Sequence, residues 1–163
     1  MSSYDDGRDG HCSILLPAQW ELVREMRLAA LSESPHAFLG KINKESEFDE
    51  TDWRDTFRSA SWHGFFIACA IIGIAKSSIL AEYPEERYVE SFWVRPDHRE
   101  REVARRMLQS IVDEARREQR RVIRLSVLRS NQSAIDAFYR LGLATVVAHR
   151  SSEDEICLEL PLA

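Results

Sequence analysis

The stretch from Tyr88 to Ala104 constrains the fold of this chain more than any other. Tyr88–Val94 reads as a strand, Pro96 marks a turn, and an arginine-rich loop opens into a helix near Arg101. Val103, Ala104, Met107, Leu108, Ile111, Val112 and Ala115 then form one apolar stripe at helical spacing, with charges opposite. The first N–H groups of such a helix have no internal acceptor and carry the positive end of its dipole. A strand that runs through this loop into this helix therefore builds an anion site.

The flanking sequence supplies the rest of a mixed α/β domain. Cys12–Leu16 reads as a short strand, and Pro17 opens a helix carried by Trp20, Leu22, Val23, Met26, Ala29 and Ala30 and ended by Ser34-Pro35. Asp49–Arg58 reads as a short helix, acidic at its start, with Trp53 and Phe57 four apart. Gly64–Ala70 and Ile72–Leu80 read as adjacent buried strands. Val122–Leu128 is a strand, Ser130 or Asn131 caps a helix that runs through Leu141, and Gly142 ends it. Two last strands are expected over Leu143–His149 and Glu155–Leu160. The expectation is about seven strands and four helices in one domain over residues 11–163, preceded by a flexible tail over residues 1–10.

Composition removes several classes of function. At 163 residues the chain can bury one substantial core, and its net charge of −5 argues against a nucleic-acid binder. Cys12, Cys69 and Cys157 are odd in number and far apart, so neither a disulfide framework nor a metal site is expected. Cys69 sits in an apolar run and reads as a small buried hydrophobe. The apolar stretch Gly64–Ala81 reaches Lys76 before the ~20 residues a spanning helix requires. A polar N-terminus without a signal segment makes a reducing cytoplasm the expected location.

Two motifs carry a family resemblance. The run Val94-x-Pro96-x-x-Arg99-x-x-Glu102-x-Ala104 resembles the cofactor motif of the GNAT acyl-CoA N-acyltransferases. About thirty residues later, Asn131-x-x-Ala134-x-x-x-x-Tyr139-x-x-Gly142 resembles their second motif, and Arg27–Leu31 with Ser34–Phe38 is similar to the opening helices of bacterial members. The resemblance implies a GNAT-like fold with a V-shaped splay between the strands ending at Val94 and near Leu128. It implies acetyl-CoA as cosubstrate, with no metal, and as acceptor a primary amine of a small molecule or protein. Homodimers are common in such families. Backbone groups of Phe92, Trp93 and Val94 would hold the pantetheine. Arg99 would attract phosphate, and the N–H groups of Arg101, Glu102, Val103, Ala104 and Arg105 would hold the pyrophosphate. Asn131 would reach the pantetheine, cap its helix, or do both.

The implied reaction is attack of an amine on a thioester. An alkylammonium with a pKa of about 10.4 must first lose a proton. Tyr139 aligns with the family's acid and is the candidate donor to the departing thiolate. Strand alternation puts Tyr88, Glu90, Phe92 and Val94 on one face, which makes Glu90 the candidate base.

The motif departs from the family at Glu100 and Glu102, where glycines are usual. A carboxylate about 5 Å from a phosphate charge costs on the order of 3 kcal/mol at intermediate dielectric, less if it swings toward Arg105 or Arg106. A glycine in a first helical turn would itself cost up to about 1 kcal/mol of helix stability. The alternative function is therefore a non-catalytic GNAT-like binding or regulatory protein with impaired CoA binding.

Overall fold

The structure, a computed structural model, describes residues 10–33, 42–99, 102–147 and 152–162. Seven strands form one mixed sheet: β1 His11–Ile14, β2 Ala60–Ile67, β3 Ala70–Ser78, β4 Glu86–Val94, β5 Val122–Leu128, β6 Ala144–Val146 and β7 Glu155–Pro161. Their order across the sheet is β1-β2-β3-β4-β5-β7-β6. Among the described residues five α-helices accompany them: α1 Trp20–Glu33, α2 Ile42–Glu45, α3 Glu50–Asp55, α4 Val103–Arg117 and α5 Gln132–Arg140. The strand count is the one expected from the sequence. The four-residue α2 was not foreseen, since one turn is too short to show a period.

Two apolar cores lie on the two faces of the sheet. The stripe of α4 packs with Val89, Ile123, Leu125 and Val127 on one face, and α5 joins it through Ile135 and Phe138. On the other face, Val23 and Met26 of α1 and Trp53 of α3 pack with Trp62, Ile74 and Trp93. Every second residue of β5 is buried, as a half-covered strand requires. Gly73 admits α4 to the sheet: a Cβ there would lie 2.6 Å from Met107 Sδ.

Several boundaries differ from expectation for local reasons. The β2–β3 turn falls at Ala68-Cys69, with Ala68 at φ 53°, so Cys69 is exposed rather than buried. Asp49 caps α3 through a reciprocal pair with the Asp52 backbone and side chain. Gly10, assigned to the tail, is buried against Phe65. The rest of that tail, the Ser34-Pro35 stop with its following segment, Glu100, Arg101 and His149 lie outside the described residues.

Candidate active site

Strands β4 and β5 run parallel and pair at Glu86–Val122, Arg87–Ile123, Tyr88–Arg124 and Val89–Leu125. The pairing stops there, although β4 continues to Val94 and β5 to Leu128. The edge of Glu90–Val94 that faces β5 thus has no strand partner. This is the splay expected between these two strands, and its cause lies in β4. Ile74 of β3 pairs with Trp93 and Lys76 pairs with Glu90, so Ser91 and Phe92 stand opposite the single residue Ala75. Ser91 takes up the extra length at φ 56°. A left-handed non-glycine residue costs about 1–2 kcal/mol, and such bulges re-aim the residues around them.

The bulge overturns the alternation read from the sequence. Before it, Val89 faces α4, while Glu90 faces α1–α3. After it, Phe92 and Val94 face α4, while Trp93 packs on the α1 side. Glu90 and Phe92 therefore lie on opposite faces, because one inserted residue shifts the two-residue period. Phe92 meets Phe138 of α5 edge-to-face at 5.4 Å.

The start of α4 stands beside the splay. Glu102 is its N-cap residue at φ 58°, and its side chain makes no capping bond. The first intrahelical bond runs from Arg106 N to Glu102 O, so the N–H groups of Val103, Ala104 and Arg105 have no helical acceptor. Glu102 is exposed, and neither it nor Arg105 forms an ion pair with a described residue. Arg106, which the sequence offered as a partner for Glu102, lies over the Phe65 ring at 5.0 Å instead. Glu102 also precedes the first turn rather than lying in it, so the helix-propensity cost expected for glycine there does not apply.

Arg99 is tied to β4 and α1. Its Nε donates to Val94 O at 2.9 Å, and its Nη2 bonds Glu33 Oε2 at 2.9 Å. The same Glu33 oxygen accepts from the Trp93 indole. Asn131 caps α5, its Oδ1 accepting from Ala134 N at 3.3 Å.

Tyr139 bonds to the edge strand β6. Its hydroxyl shares a hydrogen bond with Thr145 of β6, and β7 separates β6 from β5. The residue of α5 that reaches Phe92 is Phe138, one position earlier and about 100° around the helix. The hydroxyl that does stand at the splay belongs to Tyr88, which bonds Ser126 of β5 at the end of the paired segment. Burial pushes the Tyr88 phenol up; the Ser126 bond opposes this, and the Glu90 and Glu155 charges add to it. A neutral proton donor is the result.

On the α1–α3 side a cavity of about 510 Å³ opens against the bulge, with Glu90 and Ser91 at its rim. Phe48, Trp53 and Trp62 form its aromatic wall. Glu90 is half-exposed and pairs with Lys76 Nζ at 3.2 Å, while that ammonium lies 5.8 Å from the centre of the Trp62 ring. None of these aromatic residues could be assigned to a site from sequence, because each reads equally well as core. Among the described residues no cluster of His, Cys, Asp and Glu could hold a metal, and no helix is long and apolar enough to cross a membrane.

Comparison with known proteins supplies the family. The profile of the acetyltransferase (GNAT) family matches residues 23–143, well over half of the chain. Among solved structures, the PaiA N-acetyltransferase of Thermoplasma acidophilum in complex with coenzyme A superposes with a TM-score of 0.76 at 12% identity, covering 94% of this chain and 99% of its own. The GNAT domain of S. lividans PAT gives 0.76 at 19% identity, covering 93% and 89%. YncA of Salmonella typhimurium, solved with its cofactor acetyl-CoA, gives 0.74 at 16% identity, covering 95% of each chain. No curated protein sequence gave a match. With a family match over most of its length and the splayed seven-stranded sheet, the chain belongs to the GNAT acetyltransferase family.

Proposed function

We propose that the protein transfers an acetyl group from acetyl-CoA to a primary amine. The observation that carries this reading is the parting of β4 and β5 after Val89 and Leu125, beside a helix terminus whose N-cap side chain makes no capping bond. The residues present fit the cosubstrate. The unpaired edge of Glu90–Val94 offers backbone groups to the pantetheine amides. The N–H groups of Val103, Ala104 and Arg105, with the Arg105 side chain, offer donors to a pyrophosphate. Acetyl-CoA supplies the activated acyl group.

The chain's own part is proton handling and placement. Glu90, at the junction of bulge and cavity, accepts a proton from the incoming ammonium, directly or through water. Tyr88 keeps its proton at neutral pH and stands one rung before the pairing ends, so it is the candidate to protonate the departing sulfur. In this reading Tyr139 supports the β6 edge through Thr145 and takes no part in transfer.

Calorimetric titration with acetyl-CoA, followed by a thiol-release assay, tests the proposal. Glu90→Gln is expected to cut turnover about 100-fold while acetyl-CoA affinity stays within about twofold. Tyr88→Phe is expected to slow turnover, and Tyr139→Phe to leave it unchanged. Equal rates for wild type and Glu90→Gln would remove Glu90 from the mechanism.

One observation favours a second reading. Arg99 is committed to Glu33 and Val94, and Glu102 places a carboxylate at the anion site. A non-catalytic binding protein would show no heat with acetyl-CoA, and the same titration decides between the two.

A further inference from the structure

The cavity beside the bulge has a charge balance and an unmet donor that together describe its ligand. Its described lining carries three cations, Arg27, Lys44 and Lys76, against two carboxylates, Glu45 and Glu90. Four of these five groups are matched. Arg27 Nε bonds Glu45 Oε1 at 2.9 Å, and Lys76 pairs with Glu90. Lys44, exposed on α2, forms no ion pair with a described residue. The excess charge of the cavity is therefore positive and sits at its α2 end, across from Glu90 on β4.

The two tryptophans of the wall differ in the same sense. The Trp62 indole N–H donates to Thr56 Oγ1 at 2.9 Å, and the Thr56 hydroxyl passes its own proton to Trp53 O at 2.7 Å. The Trp53 indole N–H is buried and has no acceptor among the described residues, although the residue is only 1% exposed. A buried donor without an acceptor is rare in proteins, and this one belongs to a residue that lines the cavity. The Lys44 ammonium and the Trp53 N–H belong to the lining of one aromatic-walled cavity, and a single anionic group would pair with both.

We propose that this cavity binds the acceptor, and that the acceptor is a primary amine bearing a carboxylate on an apolar body, the chemical class of a free apolar amino acid. The inference rests on the acetyl-transfer reading above and names the substrate class for that site. The amine lies toward Glu90 and the splay. The apolar body lies along Phe48, Trp53 and Trp62, and the carboxylate lies toward Lys44 and the Trp53 N–H. In the transfer step the ammonium loses a proton to Glu90 and the solvent. The new C–N bond forms as the C–S bond breaks, and the sulfur leaves with the electron pair and takes up a proton. The balance is R–NH3+ plus acetyl-CoA giving the N-acetyl amine, CoA–SH and H+. A polycationic amine is disfavoured, because Lys76 already neutralises Glu90 and Lys44 repels a second positive charge.

The test compares L-phenylalanine with 2-phenylethylamine, which has the same ring and amine but no carboxylate, and with spermidine. Acetyl-CoA binding is measured first by calorimetry. If acetyl-CoA does not bind, the acetyl-transfer reading fails before any amine is added. If it binds, kcat/KM for phenylalanine is expected to exceed that for phenylethylamine at least tenfold, with spermidine lowest. Lys44→Glu, a change at an exposed position, is expected to cut that preference by tenfold or more and to leave KM for acetyl-CoA unmoved. The amines differ in basicity, but the difference is the same in both proteins, so the change in preference isolates the charge at position 44. Equal or higher kcat/KM for phenylethylamine or spermidine in the wild type overturns the inference. So does a preference that Lys44→Glu does not move, and so does acetyl-CoA binding without turnover of any of the three.

Discussion

The two ends of helix α4 are built from similar parts and put to opposite uses. Each is flanked by a left-handed non-glycine residue, Glu102 at φ 58° before the helix and Gln119 at φ 60° after it. At the C-terminal end the chain closes on itself. Arg120 N bonds Ala115 O at 2.8 Å and Gln119 N bonds Arg116 O at 3.0 Å, the paired bonds of a Schellman stop. Charged groups there are also consumed. Glu114 meets His63 Nε2 at 3.2 Å and Arg87 Nη1 at 3.2 Å, while Arg87 also bonds Glu118 and Ser77. Ser110 bonds the other His63 nitrogen at 2.9 Å. At the N-terminal end the side chain of the N-cap residue, Glu102, makes no capping bond. Polar groups that the protein satisfies hold the fold together; those it leaves open beside a cleft are offered to a ligand.

The largest expected effect lies at the closed end. Burial raises the Glu114 carboxyl, but hydrogen bonds from His63 and Ser61 and the charges of His63 and Arg87 outweigh it, so its pKa falls below the ordinary 4.5. Glu114→Ala leaves His63 and Arg87 buried without this partner and is expected to cost about 3 kcal/mol. Acetyl-CoA affinity should not change. Because the folded pKa is depressed, the contribution is present above the ordinary carboxylate pKa and is lost as pH falls through the folded value. Denaturant unfolding of both proteins should therefore show a full gap at pH 7 that narrows below about pH 4.5. A gap that is flat across this range would remove the charge from the explanation.

Glu102→Gly comes next and acts at the open end. It removes a carboxylate from the anion site and frees a left-handed position from its β-carbon. Acetyl-CoA should bind tenfold more tightly or better, about 1.4 kcal/mol, in calorimetry at low salt. The free protein should not melt lower: relief of the left-handed strain offsets the added freedom of a glycine in the unfolded chain. Unchanged or weaker affinity would mean that Glu102 either faces solvent in the complex or takes part in binding.

The smallest effect is the control. Gln119→Gly relieves the same kind of strain at the closed end and is expected to add about 0.5–1 kcal/mol of stability. It should leave acetyl-CoA affinity within error. If both glycine variants move affinity alike, the contrast between the two ends fails.

Much of this site was legible in the residues themselves. The apolar stripe from Val103 to Ala115 has only one way to be buried, so α4 and the strands on either side of it follow from period alone. Val122–Leu128 was read to the residue, because alternation is strongest where one face is covered. Asn131 was read as an N-cap because its side chain bonds a backbone group three residues away. All of these are local interactions, and local interactions are written in neighbouring letters.

Tertiary structure decided what depends on residues distant in sequence. Ser91 has no feature of its own that marks a bulge; the extra residue shows only against β3, and it alone sends Glu90 and Phe92 to opposite faces. Arg99 pairs with Glu33, sixty-six positions earlier, a partner that no local pattern reveals. Of two adjacent aromatics on α5, Phe138 packs against Phe92 and Tyr139 bonds Thr145, a division that the packing of α5 on the sheet makes and the sequence does not show. The aromatic cavity needs Phe48, Trp53 and Trp62 brought together from a loop, a helix and a strand. The sequence determined the elements and the family, because periodicity and capping act over a few residues. The tertiary structure decided which side chains share a space, because that is set by strand register and helix packing across the whole sheet.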